Sequence, residues 1–311
     1  PFRNLALIAI GAIMLLSFGA RYLDRKTFDA LHYSMTASWW LGGFLFGWGA
    51  MHYRSRTLGI LAALTLPIAT LFAQAAIFDQ TRVNPAWHAV GLALLVPIYF
   101  TVGNKLLARQ DDKILRGHGR TATGWGIALT IIAALWSLTN LTSSTAAATS
   151  HAVLCGAMVL AIFLWRQPRI LYAASLFALT TTAFVMTELN LPPHQFSVGW
   201  ASLSLGYILI AFRFGANPNA WRARLNSTLI DAGFGIAALA LIPALLPYDG
   251  TMLAYALANW LGLTAWSARL AHTGQPGFAS QGWFGRSRFH WLTAVPLPAW
   301  IWILFANRGP L

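Results

Sequence analysis

Apolar runs of roughly twenty residues, each closed by a short polar or charged stretch, follow one another along most of the chain. A helix rises 1.5 Å per residue, so ~20 mainly apolar residues cross the ~30 Å hydrocarbon core of a bilayer. Read for that length, the pattern predicts spans at Leu5–Tyr22, Tyr33–His52, Leu58–Phe78, Trp87–Leu107 and Gly124–Leu141. It continues with Ala152–Trp165, Ile170–Leu189, Phe196–Phe212, Leu229–Leu246, Met252–Leu270 and Trp291–Phe305. The expected fold class is all-α: a polytopic transmembrane helical bundle of about ten to eleven spans.

The breaks between runs alternate in kind. With the N-terminus in the cytoplasm, sixteen Lys and Arg fall on the cytoplasmic side, among them Arg54, Arg56, Lys105, Arg109, Lys113, Arg116 and Arg120. Five fall outside: Arg21, Arg25, Lys26, Arg82 and Arg308. Basic residues near span ends are retained on the cytoplasmic side, so the imbalance predicts an N-in protein of the inner membrane. Outer breaks read instead as Asn190-Leu191-Pro192-Pro193 or Pro247-Tyr248-Asp249-Gly250.

Basic exits recur at Arg54, Arg109, Arg166, Arg213 and Arg269, separated by 55, 57, 47 and 56 residues. That period predicts repeated helical hairpins, each going up, turning at a polar or Pro-bearing loop, and returning to a basic turn. No stretch has the length of a soluble domain, so residues 1–311 read as one transmembrane domain. A chain starting at Pro1 suits a processed N-terminus or a fragment of a longer membrane protein equally.

Composition agrees with a lipid environment. Charged residues make up 9% of the chain and hydrophobic ones 57%, against roughly 25% charged in a soluble domain. The net charge of +13 does not signal nucleic acid, because the bases sit in short clusters between apolar runs and form no basic stripe. Cys155 is the single cysteine, which rules out an intrachain disulfide and a thiolate metal site.

Leu31-His32-Tyr33 through Trp39-Trp40, Gly47-Trp48-Gly49 and Arg54-Ser55-Arg56-Thr57-Leu58-Gly59, with Asn84-Pro85-Ala86-Trp87 before an apolar run, resemble a bacterial family of predicted many-spanning membrane proteins. The resemblance covers about the first third of the chain. It implies many successive spans and a longer parent protein. It carries no activity and assigns no residue a role.

Four histidines fall at the expected outer starts of descending spans: His32, His88, His151 and His194, with Asp249 in the matching place of the fifth hairpin. Neutral imidazoles are good metal or haem ligands, and a ring of them is one reading. The other is that each anchors a helix end, repeated because the hairpin repeats. Gln74, Asn104 and Asn259 lie inside spans and Glu188 near an outer end. They could line a polar path, although such residues ordinarily join helices. Asp231 is expected near the inner end of its span, leaving span centres free of the carboxylate that an ion-coupled transporter uses.

Gly-x-Ser-x-Gly, phosphate-loop, Cys-x-x-Cys and paired Asp-rich motifs are missing, so a non-enzymatic role is expected and no cofactor is indicated. The leading expectation is a structural or accessory scaffold subunit of the inner membrane, in contact with lipids and other membrane subunits. The alternatives are a transporter or flippase for a lipid-linked or apolar substrate, and a metallo- or haem protein using the outer histidines.

Overall fold

A computed structural model of the chain describes residues 11, 28–81, 83–109, 111–139, 143–214, 220–245 and 250–272. The expected last span lies outside these residues, as does the first apart from Gly11. Regular structure among the described residues is helical throughout. The helices are α1 (Phe28–His52), α2 (Arg56–Thr81), α3 (His88–Leu107), α4 (Lys113–Thr139) and α5 (Ser144–Trp165). They continue as α6 (Leu171–Glu188), α7 (Phe196–Phe214), α8 (Ala220–Leu239), the short α9 (Leu241–Leu245) and α10 (Gly250–His272).

Among the described residues six segments are long and apolar enough to cross a membrane: Arg56–Phe78, Pro85–Leu107, Lys113–Thr139, Ser144–Trp165, Pro168–Glu188 and Trp221–Ala244. The chain is a multi-pass helical membrane protein. The predicted second, eighth and tenth spans are also helices, α1, α7 and α10, outside that set of six.

Several boundaries move outward from the apolar cores. The short sixth span, expected from Ala152, begins at Ser144 and is 22 residues long. Ser143 starts it, its hydroxyl accepting from Ala146 N and its carbonyl from Ala147 N, which satisfies donors that a helix start leaves open. The ninth, expected from Leu229, begins a full two turns earlier. Polar residues flanking an apolar run extend a helix at little cost when Ala, Leu and Arg dominate them.

The chain groups into two compact units, Pro1–Leu160 and Ala161–Leu311, the boundary falling within α5. In the first unit α1 and α2 form an antiparallel hairpin. Met35, Trp39, Phe46 and Ala50 repeat at helical spacing along α1 and bury against Leu58, Ala69 and Phe72 of α2.

The second hairpin, α3 with α4, is closer still. A Cβ placed on Gly119 would stand 2.8 Å from Leu107 N and 2.9 Å from Gly103 O, and one on Gly126 would stand 2.6 Å from the Phe100 ring. In lipid no hydrophobic force presses helices together, so close packing between small residues and interhelical hydrogen bonds must do it. The Tyr99 hydroxyl of α3 donates to Ala63 O of α2 and ties the two hairpins together.

In the second unit α7 and α8 form the principal pair, with α6, α9 and α10 packed on them. Trp221–Ala244, which α8 and α9 make up, is the most enclosed of the six membrane-length segments among the described residues. Pro67 and Pro97 lie inside α2 and α3, which continue past them. Pro243 does interrupt: α8 stops at Leu239, whose carbonyl the missing Pro243 N–H would have engaged, and α9 restarts at Leu241. Pro296 lies outside the described residues.

Candidate functional site

The polar residues of the first unit collect at two levels. At the end away from the basic turns, Asn84 accepts from Ala86 N and opens a 3-10 turn, Pro85–Trp87, that delivers His88 as the first residue of α3. Gln74 of α2 reaches across: its Nε2 donates to Trp87 O at 3.2 Å and its Oε1 meets His88 Nδ1 at 3.3 Å. Phe78 and Trp136 flank the imidazole, with ring centroids at 4.9 and 5.8 Å. A Cβ on Gly91 would collide with the Gln74 amide, so the missing side chain is what admits Gln74.

Beside Trp136, Ser137 of α4 meets His151 of α5, Oγ to Nε2 at 2.7 Å, with both side chains buried. The same hydroxyl donates to Ala134 O at 2.7 Å. A hydroxyl has one hydrogen. With that hydrogen given to Ala134 O, Ser137 accepts from His151, whose ring proton then sits on Nε2. A serine nucleophile would need the reverse, a ring nitrogen accepting its proton. The pair is a helix clamp and has no access for substrate.

Of the four histidines singled out in the sequence, two touch adjacent residues of the last turn of α4, His88 against Trp136 and His151 against Ser137. His151 is not the helix-end anchor expected of it, because α5 starts seven residues earlier. His194 lies half-buried in the 3-10 turn Pro193–Gln195 of the second unit. His32 lies early in α1, and its side chain is outside the described residues, as is Asp249. Among the described residues no three His, Cys, Asp or Glu side chains are grouped to hold a metal ion.

The remaining path residues are scattered. Asn104 is half-buried near the basic end of α3, sixteen residues or about 24 Å of helix from His88. Asn259 Nδ2 donates to Ala201 O at 3.4 Å and joins α10 to α7 in the second unit. Glu188 is exposed at the end of α6. Thr180, Thr181 and Thr182 turn their hydroxyls back onto carbonyls of their own helix.

At the basic end of the first unit Asp112 accepts from Ile114 N at 2.9 Å and Leu115 N at 3.2 Å and so caps α4. Arg54 Nη2 lies 3.6 Å from its carboxylate. Arg54 ends α1 at φ 50°, and Arg166 leaves α5 at φ 52°. His118 is buried against Gly59 of α2 with neither ring nitrogen hydrogen-bonded.

The N–H groups of Leu115 and Ile114, and then Arg54, hold the Asp112 carboxyl below its ordinary range. A carboxylate with a lowered native pKa stabilises the fold fully above its unfolded value, ~3.9, and loses that contribution as pH falls through the native one. The melting-temperature deficit of Asp112→Ala relative to wild type is therefore expected to be constant from pH 7 to pH 5 and to shrink at pH 3. Melts across that range read it directly, and a deficit unchanged down to pH 2 would contradict the cap.

The second unit holds what the sequence placed wrongly. Asp231 is not near a span end: within Trp221–Ala244 it has ten residues on one side and thirteen on the other, and it is buried. Asn226 of the same helix is fully buried, and neither its Oδ1 nor its Nδ2 has a hydrogen-bond partner. Ser197 and Ser204 on α7 are fully buried with unpartnered hydroxyls. Gly233 keeps α7 and α8 close here, since a Cβ on it would stand 2.8 Å from Ile208 Cδ1.

Compared with known proteins, the chain matches no family model, no curated protein and no solved structure.

Proposed function

We propose that the chain is a structural or accessory subunit, a scaffold, of a bacterial inner-membrane assembly, with its N-terminus and basic turns in the cytoplasm. One observation carries this reading: several polar side chains of the spans are spent on joining helices. Gln74, Tyr99, the Ser137–His151 pair, Trp200 and Asn259 each bond to a neighbouring helix or the turn leading into it. A transport path needs such groups turned toward a substrate. The charge imbalance supports the orientation.

A second reading, a transporter, is favoured by Asp231 alone. A carboxylate at mid-span is costly and commonly marks an ion or substrate pathway.

Purification of the tagged full chain in mild detergent separates the two. A scaffold co-purifies with other membrane proteins in fixed stoichiometry. A chain that isolates alone, and that moves protons into dye-loaded proteoliposomes in a way Asp231→Asn abolishes, would overturn it. On a Cys155→Ser background, Arg109→Cys and Arg269→Cys are both expected to react with an impermeant maleimide in inverted vesicles only.

A further inference from the structure

One face of α4 changes character along its length. Lys113, Arg116 and Arg120 follow at i, i+3 and i+7 and so share that face over its first two turns. Beyond Arg120 the same face is apolar and open: Ile127, Ile131 and Leu135 are 49, 55 and 57% exposed. From Gly124 to Leu138 this stripe runs about 21 Å, against ~15 Å for the hydrocarbon depth of one leaflet.

Two gaps interrupt the face on either side of Arg120. Gly117 and Gly124 lie three residues before it and four after, and a Cβ on either would meet nothing within 4 Å. Each glycine leaves a notch that no described residue fills. Arg116 is half-buried, its Nε enclosed without a hydrogen-bond partner. Asp112, the acid next to Lys113, is engaged by Leu115 N, Ile114 N and Arg54. The exposed Asp111 leaves an excess of positive charge.

We infer that this face is a binding site for one anionic glycerophospholipid, its phosphate held among Lys113, Arg116 and Arg120 over the Gly117 notch and an acyl chain laid through the Gly124 notch onto Ile127 and Ile131. Clustered bases beside a membrane helix attract anionic headgroups, whereas a zwitterionic headgroup would turn its own cation toward the arginines. The apolar stripe continuous with the bases selects a lipid over a free phosphate. The inference rests on α4 crossing a membrane and is independent of any protein partner.

Native mass spectrometry of the full chain, purified into detergent micelles containing equal phosphatidylglycerol and phosphatidylcholine, tests it. Wild type is expected to retain phosphatidylglycerol in excess. Lys113→Gln and Arg120→Gln should each lower that excess about fivefold. Gly124→Leu should lower retention with every charge intact and the melting temperature unchanged. Equal retention of the two lipids by wild type, an excess unchanged in the double Gln variant, or displacement by millimolar glycerol phosphate would overturn the site. Failure of the membrane reading looks different: the chain would stay monodisperse without detergent and retain neither lipid.

Discussion

Gly119→Leu is expected to destabilise the protein by about 3 kcal/mol or more, because overpacking a tight contact costs that when nothing can yield. Its Cβ would meet Leu107 N and Gly103 O, which are backbone atoms, so no rotamer change relieves the clash and α3 and α4 must separate. Separation would also lengthen the contacts of Phe100 with Gly126 and disturb the Tyr99 bond to Ala63 O. Gly156→Leu, on α5, is the control. It faces open space and should change stability by less than about 0.5 kcal/mol. Thermal melts of both variants in one detergent read the contrast. Equal effects would show that the hairpin does not depend on glycine contact.

Asn226→Leu is expected to stabilise the second unit, by about 2 kcal/mol, since a buried amide without hydrogen bonds carries its full desolvation cost. Leucine has nearly the outline of asparagine and removes both unpartnered atoms. Asn259→Leu is the opposing case: that side chain donates to Ala201 O, and losing one interhelical bond in a bilayer costs ~0.6 kcal/mol. Opposite signs in paired unfolding measurements are the expected outcome. If Asn226→Leu destabilises instead, the amide is satisfied by something other than this chain, and the case for a pathway beside Asp231 strengthens.

Apolar run length was enough to locate nearly every described helix, because crossing hydrocarbon leaves the backbone few alternatives to a helix. Helix ends were less legible. Ser144–Ser150 and Trp221–Thr228 look like loops by hydropathy and are helix, which moved His151 inward from an end and Asp231 from an end to a midpoint. The site residues divide similarly. His88 and Gln74 were visible as polar residues in apolar surroundings, yet nothing in their spacing of fourteen positions showed that they meet. Ser137, Tyr99 and Asn226 carried no signal, since Ser, Tyr and Asn are ordinary near helix ends and only a neighbour makes one a clamp or an orphan.

The amino-acid pattern alone determined that this is a helical protein of the membrane: transfer of apolar side chains from water is local and additive, and a span's length is set by the thickness it must cross. Which faces of those helices touch was decided only in three dimensions. Glycines at 103, 119 and 126 are indistinguishable in sequence from glycines at 117 and 124. One set holds two helices in close contact, and at the other a Cβ would meet nothing within 4 Å. Contact depends on residues far apart in the chain arriving at the same height and angle, which no single run of the sequence contains.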